Sequence, residues 1–173
     1  MSGQSEPGRI VVGGVSGAGK STVGRALAAR LGAGFVDADD LHTAAAVALM
    51  AGGTPLTDLD RWPWLDRVAA ALRDAPGEGV VIACSALRRA YRDRIRRLAP
   101  DTVFVQLTGS RELLTHRLTA RTAHYMPASL LNSQLALVEP LGPEENGVEL
   151  DVSPPPEVLI DDVVRALGRG RVN

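Results

Sequence analysis

Arg9-Ile-Val-Val-Gly-Gly-Val-Ser-Gly-Ala-Gly-Lys20-Ser21-Thr-Val-Gly-Arg-Ala-Leu27 is the stretch that decides the fold. Arg9–Val12 is a short β-branched run that meets Gly13-Gly14, the pattern of a buried strand entering a turn. From Lys20 onward Val23, Ala26, Leu27 and Leu31 recur at helical spacing, and Gly32 with Gly34 closes the helix. Between strand and helix, Gly14–Ser21 satisfies G-x-x-x-x-G-K-[ST] at every specified position. Glycines at those places let successive N–H groups aim at phosphate oxygens, and the helix that follows offers its positive end to the same anion. A nucleoside triphosphate is therefore expected on Gly14, Val15, Ser16, Gly17, Ala18, Gly19, Lys20, Ser21 and Thr22. Lys20 is expected to reach the β- and γ-phosphates and the Ser21 hydroxyl to ligate magnesium.

Composition supports that reading of Lys20. The chain has 18 arginines and a single lysine, and that lysine is Lys20. A sequence that uses arginine wherever a generic cation suffices keeps one compact ammonium on a flexible stem where a phosphate loop needs it.

Outward from this loop, short apolar runs alternate with helical patterns. Phe35-Val36 starts a second strand that ends in Asp37, Asp39 and Asp40; Leu41–Ala51 reads as a helix, Thr54–Trp64 as a Pro- and Asp-rich connection, and Leu65–Arg73 as a further helix. Gly79–Cys84 is a third strand, apolar at every position after its glycine, as expected of one buried on both faces. Leu87, Tyr91, Ile95 and Leu98 mark a helix; Thr102–Leu107 reads as a strand, Arg111–Arg121 and Ala128–Val138 as helices, Val148–Val152 as a fifth strand, and Ile160, Val163, Val164 and Leu167 lie on a last helix. Strands alternating with helices imply one α/β domain with a parallel sheet covered on both faces. Its expected limits are 9–168, with a short lid near 122–138, a frayed segment 1–8 and a tail 169–173.

Length, charge and cysteine content narrow the classes. At 173 residues the chain fits one domain, and a net charge of −1 without a long run of one sign points away from nucleic acid and membrane surfaces. Val80–Cys84 and the other apolar runs are too short to span a bilayer, and Met1–Gly8 does not read as a signal peptide. The single cysteine, Cys84, excludes an intrachain disulfide and fits a reducing cytoplasm.

Among nucleotide-binding classes, a GTPase needs an N-K-x-D guanine reader, which a chain whose only lysine is Lys20 cannot contain. ABC- and AAA-type ATPases use an acid after a hydrophobic strand, where this chain has Cys84-Ser85. Small kinases remain, with magnesium held partly by water and by an acid after the second strand. Asp37 and Asp39, two apart at that strand end, are expected to point the same way, Asp37 toward the metal and Asp39 as acceptor of the substrate's hydroxyl proton. Helix N-capping by Asp39 or Asp40 is the competing use. Arg117 and Arg121 share a helix face, one placed for the base and the other for the phosphates, against the plain alternative of two solvated arginines. Arg88, nearest a strand end, is the leading candidate for an anionic group on the acceptor, with Arg92 second. His42 and His124 fall in expected site loops; His116 lies mid-helix, and Trp62 and Trp64 suit core packing.

Taken together, Gly14–Ser21, Asp39-Asp40-Leu41-His42, Gly53-Thr-Pro-Leu-Thr-Asp-Leu-Asp-Arg-Trp-Pro-Trp-Leu65, Cys84-Ser-Ala-Leu-Arg-Arg-Ala-Tyr-Arg-Asp93 and His124-Tyr-Met-Pro127 resemble the gluconokinases, P-loop small-molecule kinases. The resemblance covers about Val11 to Val164. It implies strand order 2-3-1-4-5, ATP and magnesium, phosphorylation of D-gluconate to 6-phosphogluconate, a cytoplasmic enzyme and a homodimer. By this resemblance Lys20, Asp39 and Arg121 are catalytic, Ser21 and Asp37 serve the metal, Arg117 the nucleotide, and Asp39, His42, Arg88, Arg92 and His124 the acceptor. The chain departs from the family in Thr43–Leu49, where Ala46 and Leu49 stand in place of Asn and Lys; Ala38 and Ala123 replace glycines. Those departures leave room for another sugar acid or hydroxy acid as acceptor. A non-catalytic nucleotide-binding protein is the reading from outside the enzymes.

Overall fold

The computed structural model describes residues 8–120 and 128–169. Strands β1 (Arg9–Gly13), β2 (Gly34–Asp37), β3 (Val80–Ala83), β4 (Val103–Thr108) and β5 (Gly147–Asp151) form one sheet in the order β2-β3-β1-β4-β5. All four pairings are parallel; Val12 stands beside Ala83 on one side and Val105 on the other. The helices are α1 (Lys20–Leu31), α2 (Ala44–Ala51), α3 (Asp58–Arg73), α4 (Arg89–Leu98), α5 (Arg111–Ala120), α6 (Ala128–Leu137) and α7 (Pro156–Arg169). The α/β class, the parallel sheet and its strand order agree with the expectation.

Alternation of side chains along each strand divides the core into two layers. Ile10, Val12, Val81 and Val105 pack with Val23 and Leu27 of α1 and with Leu159 and Val163 of α7. Val11, Val80, Ile82 and Phe104 face the other way, onto Val68 and Leu72 of α3 and Ile95 of α4. Burying both faces of β1 explains why its sequence is continuously apolar rather than alternating. It also holds the mouth of the Gly14–Ser21 loop at the carboxyl edge of the sheet, where β2 and β3 end as well.

Two segments differ from the sequence reading. The single helix expected over Leu41–Ala51 is a 3-10 turn, Ala38–Leu41, followed by α2, because Thr43 caps α2: its hydroxyl accepts from the Ala46 N–H at 3.0 Å. Helix α3 starts seven residues earlier than its expected start at Leu65, inside the stretch taken as a connection. Thr57 and Asp60 form a reciprocal capping box there, and the helix runs through Pro63. Among the described residues, no helix is long and apolar enough to cross a membrane.

Candidate active site

The loop between β1 and α1 takes its shape from backbone angles that L side chains rarely adopt. Gly14 has φ 142°, and a Cβ there would lie 2.9 Å from the Leu107 carbonyl oxygen. Gly19 has open space around it, but its φ of 93° is what turns the chain into α1. The Gly14 N–H donates to the Ser85 carbonyl at 3.3 Å, which ties the loop to the end of β3. Lys20 folds back so that its Nζ donates to the Val15 carbonyl at 3.2 Å. Val15 and Ala18 are buried, so those positions offer main-chain groups only, while Thr22 is exposed in the first turn of α1.

A cavity of about 370 Å³ opens over this loop, and Lys20, Ser21, Asp37 and Asp39 all line it. The Ser21 hydroxyl donates to Asp37 Oδ2 at 3.0 Å, and the other oxygen of Asp37 accepts the Asp39 N–H at 3.0 Å. The capping role foreseen for Asp39 or Asp40 thus belongs to Asp37, which caps the 3-10 turn. That turn, rather than alternation along a strand, brings Asp39 into the same cavity as Asp37, since only Asp37 lies in β2.

Asp39 stands at the mouth of the cavity, and its pKa is raised. Desolvation against the protein is the largest cause, the Asp37 charge adds to it, and Lys20 opposes it. His42 stacks on Trp64 with ring centroids 4.4 Å apart, and the Trp64 indole N–H donates to the Ala38 carbonyl at 2.6 Å. Burial lowers the His42 pKa against the pull of Asp39, so the ring tends to neutrality, and its Nδ1 finds no hydrogen-bond partner among the described residues.

Arg88 sits at the N-cap of α4 and donates to Asp58 Oδ2 at 2.9 Å. Asp58 also accepts the Tyr91 hydroxyl at 2.6 Å, and Arg61 approaches it at 3.4 Å. The Tyr91 hydrogen bond, with Arg88 and Arg61, holds the Asp58 pKa down against desolvation. A partly exposed guanidinium is thereby set in place by a carboxylate that the sequence reading did not single out.

Arg92 does not belong with it. Its side chain is fully buried, and every N–H of its guanidinium is engaged: Nε and NH2 with Glu145, NH1 with the Ala86 and Leu87 carbonyls, and NH2 with the Pro140 carbonyl. Such a group is a structural ion pair and has no donor left for an acceptor molecule, which corrects its place on the substrate wall. Burial pushes Glu145 upward, but hydrogen bonds from Arg92, the Gly142 N–H and Arg96 outweigh it and hold the carboxyl down at about 2.

On α5, Arg117 donates to the Val152 carbonyl at 2.6 Å, while its neighbour Leu118 reaches the cavity lining. Arg121 and His124 lie outside the described residues, as do 122–127 of the expected lid. Within α2, Ala46 is buried and Leu49 is exposed. The sequence reading also missed Gln134 of α6, which lines the cavity. Nothing in its local pattern marks it.

A family model described as an AAA domain matches residues 10–141. The sequence reading had set that class of P-loop protein aside, and β3 does lead into Cys84-Ser85 without an acid; the individual relatives decide the matter. The chain is 43% identical over 162 residues to a gluconokinase of Gluconobacter oxydans, covering 92% of this chain and 91% of that one. It is 41% identical over 171 residues to a probable gluconokinase of Xenopus tropicalis, covering 89% and 90%. Among solved structures, a gluconokinase from Sinorhizobium meliloti superimposes with a TM-score of 0.86 at 44% identity, over 94% of this chain and 93% of that one.

Proposed function

We propose that this chain, which belongs to the gluconokinase family, transfers the γ-phosphoryl group of ATP to D-gluconate to give 6-phosphogluconate and ADP. The observation that carries the reading is the convergence of Lys20, Ser21, Asp37 and Asp39 on one cavity. A phosphate cradle and a carboxylate base then share a single water-accessible cleft, as phosphoryl transfer to a hydroxyl requires.

In the step itself, the terminal hydroxyl oxygen of gluconate forms a bond to the γ-phosphorus. The bond from that phosphorus to the β–γ bridging oxygen breaks, and ADP leaves with the electron pair. Asp39 takes the hydroxyl proton; its raised pKa brings it closer to the pH at which a general base is most effective. Lys20 neutralises charge on the β- and γ-phosphates. The hard oxygens of Ser21 and Asp37, 3.0 Å apart, suit magnesium, which would neutralise the same charge.

Arg88 is assigned to the gluconate carboxylate and His42 to its hydroxyls. Arg117 is assigned to the nucleotide, Arg121 to the transferring phosphoryl and His124 to the acceptor by their positions in the motifs. A homodimer in the cytoplasm completes the reading. Release of ADP measured across gluconate, other aldonates, shikimate and nucleoside monophosphates tests it. Turnover is expected with gluconate, and turnover confined to another acid would move the acceptor to the alternative that Ala46 and Leu49 leave open.

A further inference from the structure

Helix α6 hydrogen-bonds to the phosphate loop through Gln134. The Ser16 N–H donates to Gln134 Oε1 at 2.7 Å, and Gln134 Nε2 donates to Ser16 Oγ at 3.0 Å. The first contact fixes the orientation of the amide, because a backbone N–H needs an acceptor and only the oxygen is one. One N–H of the amide is spent on Ser16. The second has no partner among the described residues, and the amide lines the cavity that also holds Lys20 and Asp39.

In the proposed reaction the transferring phosphoryl lies between those two residues. A donor on the wall of that cavity lies within reach of the equatorial oxygens on which charge is spread. We propose that Gln134 contacts the γ-phosphoryl group, its second Nε2–H donating to a non-bridging oxygen while Oε1 stays on Ser16. The amide neither gains nor loses a proton in the step. It adds a directed side-chain donor beside the main-chain N–H groups of the loop and the Lys20 ammonium, and the two-point hold on Ser16 keeps it aimed before the nucleotide arrives. This inference rests on the nucleotide half of the function above and is independent of the acceptor.

Gln134→Glu separates the donor from the clamp. A carboxylate of the same shape still accepts from the Ser16 N–H and from the Ser16 hydroxyl, but it offers the phosphoryl group no hydrogen and turns a negative charge toward it. The full chain and this variant are titrated without gluconate, once with ADP and once with an ATP analogue whose β–γ bridge is an imido group, each with magnesium. The dissociation constant for ADP is expected to stay within about twofold, and that for the ATP analogue to rise at least about tenfold, the share of one hydrogen bond to a charged group. In turnover, kcat falls by about 10- to 100-fold with the KM for gluconate unchanged. Gln134→Met, which removes clamp and donor together, is expected to show the same preference for ADP over the analogue, with a lower Tm. Equal weakening of both nucleotides, or no change in either, would reduce Gln134 to a packing contact and overturn the proposal. Failure of gluconate as acceptor leaves the nucleotide ratio untouched, so the two readings fail separately.

Discussion

Ser21 Oγ donates to Asp37 Oδ2 at 3.0 Å, which joins the first turn of α1 to the last residue of β2. The two residues are adjacent only because β2 and β1 both run parallel to β3 and end at one edge of the sheet. Ser21→Ala and Asp37→Asn are each expected to raise the magnesium needed for half-maximal turnover by about 10- to 100-fold. Since one hydrogen bond links them, the double variant should lose less than the two losses combined. Magnesium titrations of the three proteins check this, and fully additive losses would separate the roles.

Asp39→Asn is expected to lower kcat by about 10²- to 10⁴-fold, the usual share of a general base. The base works only when ionised. A pKa raised by desolvation and by Asp37 therefore places the acid limb of kcat/KM above the ordinary aspartate value of about 3.9, and activity is lost as pH falls through it. Asp37→Asn removes the larger of the two charges that raise it, so in saturating magnesium the limb should move to lower pH. A limb that stays put in that variant would mean another group sets it.

Arg88→Gln should raise the KM for gluconate by about 10- to 100-fold, the worth of a hydrogen bond between charged groups, and leave the KM for ATP unchanged. Steady-state kinetics with each substrate varied in turn decide the point. A change confined to ATP would place Arg88 on the nucleotide instead.

Arg92 and Glu145 should report on stability instead of substrate affinity. Glu145→Ala leaves the buried Arg92 guanidinium without its main counter-charge and is expected to cost about 3–5 kcal/mol near neutral pH. The Glu145 pKa is about 2 in the folded protein, below the value of about 4.3 usual in an unfolded chain. Its contribution is therefore complete above pH 4.3 and lost as pH falls toward 2. Thermal unfolding of both proteins should show their Tm values converging across that window.

The contrast between Arg88 and Arg92 shows how far the sequence reading extends. Both arginines follow β3 at helical spacing, and only tertiary structure separates them, because Glu145 lies 53 positions from Arg92 along the chain. The P-loop, by contrast, is local: strand, glycines, Lys20 and Ser21 are contiguous, so its fold and chemistry were legible together. The unbroken apolar run Val80–Cys84 likewise foretold a sheet covered on both faces, with Val81 in one layer and Val80 and Ile82 in the other. Helix α3 was misjudged because Pro63 and the acids around it read as a connection, although Thr57 and Asp60 carried the signal of a capped helix start. The pairing of Ser16 with Gln134 spans 118 positions and leaves no periodic trace.

Phosphate transfer to gluconate is tested most directly by identifying the product. The purified chain, with ATP, magnesium and gluconate, is followed by phosphorus NMR with mass analysis of the sugar acid. One phosphoryl group is expected on the terminal hydroxyl of gluconate, with ADP formed in equal amount and no product from Lys20→Ala. ADP formed at the same rate without gluconate, or gluconate recovered unmodified beside an active enzyme, would contradict the account.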